Sequence, residues 1–129
     1  MLSRNRPTAA TAEVAHDGVA LLVGIGGKLV IVCAGAAMDA GLRHVSVAHA
    51  EEARVRILEI APRVVVVPAS MARDERAMIG AAAEAVDAEI VDLPSVVLPA
   101  EVAHAVARAF AVCEARRANA RGPSTQRAP

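Results

Sequence analysis

The sequence predicts an α/β fold, a three-layer sandwich with a central parallel sheet of four to five strands, and three observations carry that expectation. Short apolar runs with strand character alternate with segments whose apolar residues recur at helical spacing. The run "RVVVV" (Arg63 to Val67) is apolar at every position after its arginine, as in a strand covered on both faces of a parallel sheet. The connections are short, with no internal repeat or long linker, so a single domain with right-handed crossovers accounts for the pattern.

The elements follow in order. "VALLVG" (Val19 to Gly24) is an apolar run stopped by glycine and reads as a first buried strand. From about Gly27 to Ala40 the chain reads as a helix ended by Gly41, with Leu29, Val32, Cys33, Ala36 and Ala40 facing the sheet and Val30, Ile31 and Met38 left outside. "LRHVSVAH" (Leu42 to His49) sets Val45 and Val47 on one face and His44 and Ser46 on the other, a half-buried strand. "AEEARVRILEIAP" then switches period. Ala50, Ala53, Ile57 and Ile60 form a helical stripe, Glu52 stands four residues before Arg56, and Pro62 ends the element.

"RVVVVPAS" supplies the central strand, and Ser70 is placed to cap the next helix. Asp74 and Glu75 lie near the positive end of that helix, and Met78, Ala81, Ala82 and Ala85 form its expected buried stripe. "AEIVDLP" is another short strand, and "SVVL" (Ser95 to Leu98) reads as a vestigial edge strand. Pro99 opens a last helix with Val102, Val106, Phe110 and Cys113 on one face and Arg116 and Arg117 toward its negative end. The expected organisation is a flexible lead over residues 1–17, one domain over 18–117 and a disordered tail over 118–129.

"GVALLVGIGGKLVIVCAG" (Gly18 to Gly35) admits other readings. A membrane span needs about 20 consecutive apolar residues, whereas Lys28 sits mid-run beside Gly24, Gly26 and Gly27. A central lysine costs roughly 3 kcal/mol on insertion scales, so no membrane contact is expected. "GIGGK" follows a strand and opens a helix, where backbone N–H groups collect anions. A Walker loop, however, has a longer spacing and a hydroxyl residue after its lysine, and Leu29 stands there; a dinucleotide fingerprint would need its third glycine at the same position. A tight glycine turn is the plainer reading.

From Val19 to Val67 the succession of elements, and "MDAGLRHVSVAHAEEARVRILEIAPRVVVV" in particular, resembles the receiver domains of bacterial response regulators. The resemblance implies a receiver- or flavodoxin-like sheet, but one unit short, because Asp92 to Pro99 leaves no room for a further helix and strand. It also supports a helix over 27–40, although "VALLV" and "KLVIV" could form a hairpin, which their β-branched residues favour. Where receivers carry an acidic pair for magnesium, this chain has Gly24 and Ile25; Pro68 takes the place of the phosphoacceptor aspartate. Asp92 and Leu93 stand where a hydroxyl residue is usual, and the lysine that reads the phosphoryl group has no counterpart. Phosphoryl transfer then has neither metal ligands nor a nucleophile, so no enzyme activity, metal or cofactor is expected.

Composition narrows the partners. Fourteen basic and fourteen acidic side chains cancel, and one Phe with no Trp or Tyr leaves no stacking platform, which argues against nucleic acid. Cys33 and Cys113 match no metal or redox spacing and read as buried free thiols of a cytoplasmic protein. His16, His44, His49 and His104 lack metal-ligand spacing, and Arg73, Asp74, Glu75 and Arg76 read as a solvated first turn.

Two functional expectations remain. The leading one is a catalytically silent, receiver-like signalling module that binds an unidentified protein partner, with a homodimer as one form of it, through Val30, Ile31 and Met38 on the first helix or through the last helix. The alternative is a small Rossmann-like protein that binds a nucleotide or other anion at Gly24, Gly26, Gly27 and Lys28, with Asp92 and His49 closing a polar cleft.

Overall fold

The computed structural model describes residues 18–94 and 98–126, with side chains described as far as Asn119. In chain order it holds β1 (Val19–Val23), α1 (Lys28–Asp39), β2 (Arg43–Val47), α2 (Ala50–Ile60), β3 (Val64–Pro68), α3 (Arg73–Ala85), β4 (Glu89–Leu93) and α4 (Pro99–Gln126). The strands form one all-parallel sheet in the order β2-β1-β3-β4, so the expected α/β sandwich is present with four strands. The expected lead over 1–17 and residues 95–97 of the "SVVL" strand lie outside the described residues.

Strand parity divides the core in two. Ala20, Leu22, Val64, Val66, Val91 and Leu93 point to one face, where Cys33, Ala36 and Ala37 of α1 and Val102 and Val106 of α4 cover them. Leu21, Val23, Val65 and Val67 point to the other, under Ala53 and Ile57 of α2 and Ile79 and Ala83 of α3. All four valines of β3 are fully buried, as a strand covered on both faces requires. β2 is an edge strand, and of its five residues only Val47 is buried and Val45 half-buried.

The segment after β1 is a helix, not the second arm of a hairpin. Gly24 and Gly27 turn the chain with φ of 64° and 62°, and Gly24 N–H donates to the Val47 carbonyl, fixing the turn against β2. At the other end Gly41, with φ of 83°, closes α1: its N–H donates to Met38 and that of Leu42 to Ala37, a Schellman pair. Asp87 closes α3 in the same way, through Asp87 N–H to Glu84 and Ala88 N–H to Ala83.

Several local expectations are corrected. Val30 is half-buried against the core beside α4, because α1 packs along α4 as well as on the sheet. In α2, Arg56 pairs with Glu59 and Arg54 with Glu51, both three residues apart, instead of Glu52 with Arg56. The buried stripe of α3 is Ile79, Ala82 and Ala83 with Met78 half-buried; Ala81 and Ala85 face solvent, since the larger Ile79 takes the covered position. Ser70 does not cap α3, which starts with Ala72 as N-cap and no side-chain cap, two residues beyond its reach.

α4 continues past Arg117 to Gln126, where Ala118 and Ala120 extend its good helix formers. Its arginines therefore serve β4 and the end of α3, not the end of their own helix. Arg116 bonds to the Glu89 carboxylate, and Arg117 donates to the Val86 carbonyl at 3.1 Å. Among the described residues no helix is long and apolar enough to cross a membrane.

Candidate functional site

In an open parallel sheet ligands gather beyond the carboxyl ends of the strands, at the point where the strand order reverses. Here that point lies between β1 and β3, because the chain steps from β1 outward to β2 and from β3 outward to β4. A cavity of about 260 Å³ opens beside it, lined by Leu29, Pro68, Ala69, Ser70, Leu93 and Pro94. The crevice is mostly apolar. Ile25, which follows β1, is buried, and Pro68 and Leu93 end β3 and β4, so none of these three terminal positions is a carboxylate.

The glycine loop borders this crevice. Gly24, Gly26, Gly27 and Lys28 are all exposed, and α1 begins at Lys28 with no side-chain cap at Gly27. Asp92 does not join them. It lies on β4, with β3 between that strand and β1, and its parity aims it at the α3 face. There Arg76 Nε and Nη2 donate to its two carboxylate oxygens at 2.7 and 3.0 Å. This two-pronged hydrogen bond holds the Asp92 carboxyl below its ordinary range and raises the guanidinium in turn. His49 is farther still, at the N-cap of α2 beyond β2, the opposite edge of the sheet. The expected polar cleft of loop, Asp92 and His49 is therefore not assembled, and Arg76 belongs to a partly exposed ion pair with Asp92.

Burial raises the Cys33 thiol above its usual value, and Cys113 Sγ donates to the Asp87 carbonyl at 3.2 Å. Both thiols are free and buried, and Cys33 belongs to the core that α1 and α4 cover. Among the described residues no three His, Cys, Asp or Glu side chains gather where a metal ion could be held.

Two outward surfaces bear on the expected docking faces. On α1, Ile31 and Met38 are 72% and 67% exposed on one side of the helix, with exposed Gly35 between them. Val30, expected beside them, is turned inward.

The other surface was not visible in the sequence, although a fold one unit short implies it. Among the described residues β4 is an edge strand, and a groove of about 370 Å³ runs between it and α4, bordered by Ile90, Asp92, Ala105, Arg108 and Val112. A smaller cavity of about 170 Å³ continues the groove past Leu93 to Glu101. No protein-family model, curated protein or solved structure matches this chain. The class its geometry defines is a flavodoxin-like three-layer sandwich with four strands.

Proposed function

We propose that the chain is a phosphorylation-independent, receiver-like signalling module that works by binding protein through the outward faces of α1 or α4. The observation that carries this reading is the pairing of an apolar switch point with an exposed apolar face. Pro68, Leu93 and Ile25 leave the strand ends without the carboxylates that metal-assisted phosphoryl transfer uses. Meanwhile Ile31 and Met38 keep about two-thirds or more of their surface in solvent, as large side chains that await a partner do. The order β2-β1-β3-β4 supports the receiver likeness. Beryllofluoride or acetyl phosphate with magnesium should leave the thermal midpoint and amide exchange unchanged. A shift of either with these reagents would overturn the reading.

A second reading rests on the uncapped start of α1, where the N–H groups of the first turn, exposed Gly26 and Gly27, and Lys28 could receive an anion. Thermal shift against nucleotides and inorganic phosphate tests it. Stabilisation that disappears in Lys28→Ala would favour it over the interaction module, and no stabilisation by any of them would remove it.

A further inference from the structure

β4 is a parallel strand with one side unpaired among the described residues. Glu89 N–H donates to the Arg63 carbonyl and the Leu93 carbonyl accepts from Ala69 N–H, so the odd-numbered residues of β4 face β3. By alternation the N–H and C=O groups of Ile90 and Asp92 point outward, into the groove bordered by α4. An exposed edge of this kind is a template for strand addition.

What it fits is indicated by α4. Exposed Val112 (44%), which borders the groove, and exposed Leu98 (59%), the residue before α4, each lie seven residues from half-buried Ala105, one on either side. Exposed Glu101 and Arg108 lie four and three residues from Ala105, again on opposite sides. The pattern is palindromic in shape and antisymmetric in charge about Ala105, and Ala105 borders the groove together with Val91, the middle residue of β4. Reversing the direction of this surface sets apolar against apolar and acid against base, which is the self-complementarity of a two-fold interface.

We propose that a second copy of this chain docks here, with β4 paired antiparallel to its counterpart about a two-fold axis beside Val91 and Ala105. Parity fixes the register: Ile90 of each copy exchanges both backbone hydrogen bonds with the other copy's Asp92, and the two sheets join into one of eight strands. Leu98 of one copy meets Val112 of the other, Glu101 meets Arg108, and the small Ala105 side chains let the α4 helices approach. The proposal stands on the sheet edge and α4, not on the receiver likeness or on Ile31 and Met38, so either can fail without the other.

The test uses sedimentation equilibrium and thiol cross-linking on the full chain. The wild type is expected to be dimeric. Arg108→Glu should weaken the dimer by about tenfold or more, because two opposite-charge pairs become like-charge pairs. Glu101→Arg added to Arg108→Glu should restore it to within about threefold, with unchanged circular dichroism throughout. Ala105→Cys should form an interchain disulfide under mild oxidation and Ile31→Cys should not. A monomer at every concentration, a dimer indifferent to Arg108→Glu, a charge swap that fails to rescue, or cross-linking through Ile31→Cys in place of Ala105→Cys would each overturn the proposal.

Discussion

Val65 and Val66 are neighbours on β3 that point to opposite faces of the sheet, and both are fully buried. Replacing either by alanine deletes two methyl carbons, each a loss of about 0.8 kcal/mol in transfer energy. A residual cavity of roughly 30–50 Å³ adds about 1 kcal/mol at 24 cal/mol per Å³. Each variant is therefore expected to lose about 2–3 kcal/mol. In a domain of this size that lowers Tm by roughly 6–12 °C. With no Trp or Tyr in the chain, urea unfolding is followed by far-ultraviolet circular dichroism. Equal losses from both valines are the signature of a strand covered on two sides. If one substitution cost its full amount and the other less than about 0.5 kcal/mol, β3 would have a solvent face and the three-layer account would fail.

Other outcomes follow from single positions. Ile31→Ser and Met38→Ser remove exposed side chains, so each should change unfolding free energy by less than about 0.5 kcal/mol in the same urea assay. Gly41→Ala forces a Cβ into the left-handed region at φ of 83° and should cost about 1–2 kcal/mol, whereas Gly26→Ala, with open space around it, should cost little in comparison. Asp92→Asn should cost less than about 1 kcal/mol at neutral pH, since both partners of the Arg76 pair are partly exposed. The folded-state carboxyl titrates below its unfolded value, so this contribution is present above the unfolded pKa and is lost as pH falls through the folded one. The difference between wild type and Asp92→Asn in urea titrations should accordingly close on acidification.

Much of the fold was legible because its signals are local. The four valines of β3, the glycine stop after Val23 and Gly41 at the end of α1 each name a backbone conformation or a burial state by themselves. The stripe of α3 is not fixed by spacing because alanines crowd the second half of that helix, and an alanine reads equally well inside or out. Helical spacing alone sets Val30 outside, because it counts the sheet and not α4 among the neighbours of α1, and α4 packs beside it.

The candidate site was less legible, since it depends on which strands are adjacent. Asp92 does sit near the carboxyl end of its strand, as the sequence suggests, but strand order puts β3 between it and the glycine loop. Its pairing with Arg76 could have been found from parity alone: Asp92 shares a face with Ile90, and Arg76 lies one turn before Ile79 on the helix that covers that face. The open edge of β4 follows from a count of units, but its match to α4 follows only from three-dimensional packing.

Docking of a second copy along β4 is read most directly by amide hydrogen exchange of that strand as a function of protein concentration. The Glu89 N–H, which donates to the Arg63 carbonyl, should be protected at every concentration. Ile90 and Asp92 should exchange rapidly in dilute solution and become protected as the concentration rises. Rapid exchange of these two amides at all concentrations, with the rest of the strand protected, would contradict it.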